Sequence, residues 1–336
     1  MAEKITISTV AEHARVSRQT VSNVLNSPHL VREETRERVL ASVQALGYRV
    51  SQAARQMRTG RSRLLALRID AVRDGIHGSV LDRFLHGLTE SADVAGYRLM
   101  LYTAADAAAE IATFDDLLGA YELDGFVLDS THRGDARTAW LAERDVPFVT
   151  FGRPWGEPGW HPWVDVDGAA GTEQATRHLL AAGHRRIGFI GWPEDDGEVA
   201  DDRRTGWART LHASGLDPTG LHVGMPDGIA EGEHAARDLL AIPDPPTALV
   251  CASDSLALGA LSADDRTGPG RLAVIGFDDT PVAQAIGMTS VSQPLAEVAG
   301  RCIDLLIHRL DRTPDGKVPQ PEQILLPPRL VVRSSG

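Results

Sequence analysis

The chain has 336 residues, 43% hydrophobic and 24% charged, with 46 Asp and Glu against 34 Lys and Arg and a formal net charge of −12. That length leaves room for more than one domain around a sizeable core, and no apolar run approaches the roughly 20 residues of a membrane-spanning helix. The opening MAEKITISTV lacks the apolar stretch of a secretory signal, and Cys251 and Cys302, far apart and outside any CxxC spacing, read as two buried thiols, so a cytoplasmic protein is expected.

The stretch from Thr6 to Asn26 predicts two short helices around a tight turn. In the first, Ile7 to Ala14, the apolar face is Val10, Ala11 and Ala14. Ser17 is placed to cap the second. At 100° per residue, Val21, Val24 and Leu25 fall on one side of that helix, and Arg18, Gln19, Ser22, Asn23 and Asn26 on the other. Arg can pair bidentately with guanine O6 and N7, and Asn or Gln with adenine N6 and N7, so this polar face suits a DNA major groove; an ordinary solvated helix face is the alternative. A third helix over Val31 to Gly47 carries Val39, Leu40, Val43 and Leu46, with Gly47 as its stop, and closes a three-helix core.

Next comes YRVSQAARQMRTGRSR, basic and too short to bury a core. Residues 1–63 hold eleven Lys and Arg against five Asp and Glu, a net of +6, and the remainder nets −18. Charge segregated in this way suits a head that meets phosphate and a body that does not.

Beyond residue 63, apolar runs at Leu64 to Ile69, Tyr97 to Tyr102, Gly125 to Leu128, Val146 to Phe151, Arg186 to Ile190, Ala248 to Cys251 and Leu272 to Gly276 alternate with helical patterns such as Val80 to Ala95. Strand and helix in alternation predict parallel sheets covered on both faces, and the length favours two lobes over one very large sheet. LPPRLVVRSSG reads as a final strand and tail. Phosphate-loop, nucleophile-elbow, HExxH and dinucleotide motifs are missing, and the twelve histidines are scattered, so neither an enzyme nor a metal or other cofactor is expected.

The sequence resembles the lactose-repressor and purine-repressor family of bacterial transcription regulators. The head matches in VAEHARVSRQTVSNVLN, ETRERVLASVQALGY and the hinge-like AARQMRTG; the body matches in VDVDGAAG, HLLAAGHRRIGFIG, DRRTGW, ASDSLALGAL and VIGFDD. The resemblance implies an N-terminal all-α helix-turn-helix head plus hinge helix, joined to an α/β core of two parallel-sheet lobes shaped like a periplasmic sugar-binding protein of type I. Its boundaries would be a head over 1–50, a hinge over 51–62 and a core over 63–336. Within the core, lobe 1 would take about 63–160 and 293–320, and lobe 2 about 161–292 and 321–333, with three crossings. DNA contacts are expected at Ser17, Arg18, Gln19, Thr20, Ser22, Asn23, Asn26 and Tyr48, and in the hinge at Ala54, Arg55, Met57 and Arg58. Met57 stands where the family usually wedges a Leu into a base step. Arg15 replaces the usual turn Gly and implies some backbone strain. Gly168 replaces an Asn, and Trp192 a small residue.

Ligands of open parallel sheets bind beyond the carboxyl ends of the strands, which selects Asp70, Asp129, Ser130, Trp192, Asp254 and Asp278; Arg153 joins them, and Arg203 matches the family position that commonly holds the effector. Carboxylates, guanidinium and an indole face in one cleft suit a sugar. Asp254 also reads as a helix cap, Asp278 as a turn residue and Arg203 as a solvated helix residue. Trp155, Trp160 and Trp163, in GRPWGEPGWHPW, read as packing at a crossing between lobes or as ligand stacking, and Trp207 as core. The expected function is a homodimeric, nucleoid-associated repressor that leaves a palindromic operator when a mono- or disaccharide inducer binds; a regulator that depends on a purine corepressor is the alternative.

Overall fold

The computed structural model describes residues 5–48, 60–69, 78–156, 160–193, 198–264, 270–311 and 322–336. The chain divides into two compact units, 1–62 and 63–336. Ala54, Arg55, Met57, Arg58 and Asp70 lie outside the described residues.

In the first unit, α1 is Ile7–Ala14, α2 Arg18–Asn26 and α3 Glu33–Leu46. Thr6 and Thr9 form a reciprocal cap at the start of α1, and Ser17 Oγ accepts from Thr20 N at 3.0 Å at the start of α2, so each helix begins where its orphan N–H groups find a side chain. Arg15 adopts φ 52° and ψ 49°, the left-handed conformation a Gly would adopt without a Cβ penalty. Val10, Ala11, Ala14, Val21, Val24 and Val39 form the core, flanked by Leu25, Val43, Leu46 and Tyr48. Leu40 departs from expectation. It is 46% exposed because, one residue on from the buried Val39, it is turned about 100° away from the face that meets α1 and α2. Arg38 Nε donates to Ala14 O at 3.1 Å and satisfies a free carbonyl at the end of α1.

The second unit has two six-stranded sheets. The first contains β1 (Leu64–Arg68), β2 (Arg98–Tyr102), β3 (Gly125–Leu128), β4 (Phe148–Phe151), β5 (Trp163–Val166) and, late in the chain, β11 (Gln323–Leu326), in the order β11-β5-β4-β3-β1-β2 and parallel throughout. The helices of this lobe are α4 (Gly78–Val94), α5 (Ala107–Tyr121), α6 (Ala136–Glu143) and α12 (Leu295–Leu310). Successive residues of β1 feed opposite cores: Leu65 and Leu67 pack with α4 and α12, and Ala66 with Phe114 and Leu141 of α5 and α6. Gly87 lets α4 close on α12, for a Cβ there would stand 2.9 Å from that of Ala299.

The second sheet contains β6 (Ile187–Gly191), β7 (His222–Gly224), β8 (Ala248–Cys251), β9 (Ala273–Phe277), β10 (Thr289–Ser292) and β12 (Arg329–Val331), in the order β12-β10-β9-β8-β6-β7, with only β12 antiparallel to its neighbour. Its helices are α7 (Gly168–Ala181), α8 (Glu198–Ala213), α9 (Ile229–Leu240), α10 (Asp254–Ser262) and α11 (Pro281–Ile286). Trp207 lies in this lobe's core with its indole donating to Ile187 O at 3.2 Å. Cys251 and Cys302 are buried and free. Among the described residues no helix is long and apolar enough to cross a membrane.

Two lobe boundaries differ from those expected. β5 and β11 pair with each other at the edge of the first sheet, so the first crossing falls between Val166 and Gly168, and GRPWGEPGWHPW links two strands of the same lobe. The last crossing falls between Leu326 and Arg329, where Pro327 and Pro328 offer no N–H to a ladder and end β11 before β12 begins in the second sheet.

Candidate DNA-reading helix and effector cleft

On α2 the polar face stands free of the core. Arg18, Gln19 and Asn26 are exposed, Ser22 and Asn23 half-buried. Gln19 Nε2 donates to Asn23 Oδ1 at 3.0 Å, and Asn26 Nδ2 to Ser22 O at 2.8 Å, so two amides one turn apart are pre-positioned along one stripe. Ser17 and Thr20 share a hydrogen bond of 2.9 Å at the helix start. Tyr48 leans on the head's core with part of its ring uncovered.

The effector candidates occupy the carboxyl ends of the two sheets. In the first lobe Arg68 ends β1, Tyr102 ends β2 and Asp129 follows β3. Arg137 Nη1 donates to Glu110 Oε2 at 3.0 Å, Nη2 to Asp135 Oδ2 at 2.7 Å and to the carbonyls of Asp129 and Ser130 at 2.9 and 3.1 Å. Glu110 also accepts from Arg68 Nη1 at 3.0 Å and from Tyr102 Oη at 2.9 Å. Asp129 Oδ1 lies 3.6 Å from Arg68 Nη2. Ser130, at φ 52°, is exposed on this platform.

In the second lobe Trp192 follows β6, and Phe277 ends β9 with Asp278 next. Arg203, on α8, is 7% exposed, its Cζ 3.7 Å from the Phe277 ring centre and 5.0 Å from that of Trp192. Nη1 donates to Ala252 O and lies 4.0 Å from Asp278 Oδ1, while the buried Nε has no hydrogen-bond partner among the described residues. Burial lowers the Arg203 pKa against the pull of Asp278. Burial raises the Asp278 carboxyl to about 7, opposed by Arg203 and reinforced by Asp254. Gln293 Nε2 donates to Asp278 Oδ1 at 2.6 Å. Asp278 takes φ 107°, so it also holds an irregular turn. Gly168 closes one side; a Cβ there would stand 3.1 Å from Arg203 Cγ.

Two side chains tie the lobes together. Arg153, after β4, donates from Nε to Asp165 Oδ2 at 2.6 Å and from Nη2 to Asp202 Oδ2 of α8 at 2.9 Å, with Trp155 stacked 4.4 Å from its Cζ. Arg83 of α4 donates to Asp278 O at 2.9 Å and Asp279 O at 3.2 Å.

Asp254 fits neither of its expected readings. Ser253 is the cap of α10, accepting from Leu256 N at 3.1 Å. The Asp254 carboxylate accepts from Thr280 N and Oγ1 at 2.7 and 2.8 Å and from Ser290 Oγ at 2.6 Å, and at 1% exposure it stitches three segments together away from solvent. The three tryptophans separate: Trp155 serves the inter-lobe arginine, Trp160 is exposed and Trp163 lies on β5. Arg68, Glu110, Arg137, Gln293 and Phe277 were not anticipated. Gln293 follows β10 and would have been selected by the strand-end rule had that strand been recognised.

Residues 6–51 match the model of the lacI family of bacterial regulatory proteins, and residues 176–336 that of the periplasmic binding protein-like domain. The transcriptional regulator CelR of Thermobifida fusca is 34% identical over 98% of both chains, and AglR of Rhizobium meliloti (strain 1021) is 32% identical over 98% of this chain and 94% of its own. A solved structure described as a CelR–cellobiose complex superposes with a TM-score of 0.73 at 31% identity, covering 99% of this chain and 100% of its own. These matches place the chain among helix-turn-helix transcriptional regulators with a two-lobed core. It belongs to the lacI family.

Proposed function

We propose that the chain is a homodimeric cytoplasmic repressor, without catalytic activity, that binds a palindromic operator and releases it when a sugar enters the cleft between the lobes. The observation that carries the sugar reading is the buried Arg203 Nε, an N–H without an acceptor among the described residues, set between two aromatic faces and beside Asp278. A hydroxyl-rich ring supplies an acceptor for the guanidinium, a donor for the carboxylate and a C–H face for Trp192. The regulator CelR, described in complex with cellobiose, supports the same class of ligand. On the DNA side, Arg18, Gln19 and Asn23 read base edges. Sugar binding closes the lobes, separates the two hinges and weakens operator binding about 5- to 150-fold, the usual range of allosteric coupling.

Two substitutions test the halves separately in binding titrations. Arg18→Ala costs about 1–3 kcal/mol and relaxes preference at one base position; a uniform loss over all sequences would make Arg18 a phosphate contact. Arg203→Ala leaves operator affinity intact and abolishes release by sugar; normal release would place the effector elsewhere.

A further inference from the structure

The turn that carries Asp278 is held in a conformation its residues rarely adopt by themselves. Asp278 takes φ 107° and Asp279 φ 51°, two successive non-glycine residues at positive φ, which persist only where the surroundings over-determine them. Three sets of bonds do so. Arg83 of α4 donates to both carbonyls, and the Asp254 carboxylate accepts from the N–H and hydroxyl of Thr280. The third set comes from the tail after β12, which neither the base-reading helix nor the cleft residues above account for. Arg333 Nη2 donates to Asp279 Oδ1 at 2.6 Å, and its Nη1 to Met288 O at 2.7 Å.

The tail holds this guanidinium in place residue by residue. In the antiparallel pair of β10 and β12, Ser290 stands opposite Val331, so Arg333, two residues on, arrives beside Met288. Arg333 N donates to Thr289 Oγ1 at 2.9 Å, Ser334 N to Gly287 O at 3.0 Å and Ser335 Oγ to Val274 O at 2.6 Å, which fastens three successive residues to the entry of β9 and β10. The Arg333 and Asp279 side chains are 19% and 7% exposed, and among the described residues Arg333 is the cation paired with Asp279. By bridging a carboxylate just past β9 and a carbonyl just before β10, one guanidinium joins both ends of the connection that runs through α11. Asp279 N donates to Ser290 Oγ at 3.0 Å and Asp278 N to Val291 O at 2.7 Å. What holds Asp279 therefore holds the backbone that aims the Asp278 carboxylate toward Gln293 and Arg203.

We propose that Arg333 is a positioning residue of the effector site: acting through Asp279, it holds the turn that presents the Asp278 carboxylate to a sugar hydroxyl. The proposal rests on the sugar reading of the cleft. Truncation of Arg333 leaves Asp279 buried without its cation, and the turn relaxes toward the backbone conformations Asp ordinarily adopts, so the carboxylate is aimed less well while the residues that face the sugar are unchanged.

Isothermal titration of the full-length protein with glucose, galactose, cellobiose, maltose and lactose tests it, together with hydrogen exchange of the unliganded protein. Arg333→Ala weakens the tightest-binding of these sugars about tenfold, and Arg333→Lys, which keeps a charge for Asp279, stays within about threefold of the native affinity. In an Asp278→Asn background the same Arg333→Ala change costs less than about twofold, because the carboxylate it aims is gone. The amides of 278–280 exchange about tenfold faster in Arg333→Ala, while those of α9 keep their protection. Equal losses in both backgrounds, or faster exchange across the whole lobe, would make Arg333 a general support of the fold and overturn the proposal. Where Asp278→Asn leaves no measurable binding, the exchange pattern and the Lys variant decide. If a sugar binds the native protein and Arg333→Ala changes nothing, the cleft reading stands and the positioning role falls; if none of the five binds the native protein, both fall.

Discussion

Two buried arginines, one in each lobe of the core, are satisfied very differently. Arg137 in the first lobe meets Asp135, Glu110 and two carbonyls, all between 2.7 and 3.2 Å. Among the described residues, Arg203 in the second has one carbonyl, a carboxylate at 4.0 Å and an Nε with no partner. A buried guanidinium left short of acceptors is costly to keep, whereas a fully bonded one fixes its surroundings. The first therefore reads as scaffold, holding the Asp129 and Ser130 carbonyls in place, and the second as a group held ready for a ligand.

The largest effect expected from this contrast is on stability. Arg137→Leu leaves Asp135 buried without its guanidinium and Glu110 with Arg68 alone, and costs about 3–5 kcal/mol in chemical denaturation. Arg203→Leu, which removes a guanidinium already short of acceptors, changes stability by less than about 1 kcal/mol without ligand. Equal losses would erase the distinction between scaffold and reader. Next in size is a pH effect on effector binding. A carboxyl raised from 3.8 to about 7 holds its proton in the folded state over an interval where the unfolded chain has released it, so the contribution of Asp278 to stability falls as pH rises from about 4 to about 7. Sugar hydroxyls donate best to the ionised form, so effector affinity rises between pH 6 and 8, and Asp278→Asn flattens that rise. A native titration already flat across this range would remove Asp278 from the site. The smallest effect is in the head, where Arg15→Gly relieves the left-handed residue and stabilises the unit by about 0.5–1 kcal/mol; no gain in the unfolding midpoint would show that the turn carries no strain.

Much of the fold was legible because its signals are local. The α1 and α2 limits follow from Thr6, Ser17 and the apolar spacing, and most of the central strands are continuous apolar runs. What escaped depends on distant partners. β5 and β11 are edge strands, Trp163-Val-Asp-Val and Gln323-Ile-Leu-Leu, whose identity rests on pairing across more than 150 residues of chain, and the Trp- and Pro-rich segment before β5 looked like a crossing. The strand-end rule selected Asp129, Trp192 and Asp278, which lie just past β3, β6 and β9, and passed over Gln293 because β10 was not recognised. It could not find Glu110 and Arg137, which sit in helices and meet only in three dimensions, nor tell that Asp254, also past a strand end, is turned inward onto Thr280 and Ser290.

The most direct test of the central claim is fluorescence-polarisation binding of the full-length protein to an operator selected from a random DNA pool, titrated with mono- and disaccharides and with purines. The account predicts a palindromic site whose binding weakens 5- to 150-fold with one sugar and is untouched by purines. A site whose binding strengthens with a purine, or that no sugar releases, would contradict it.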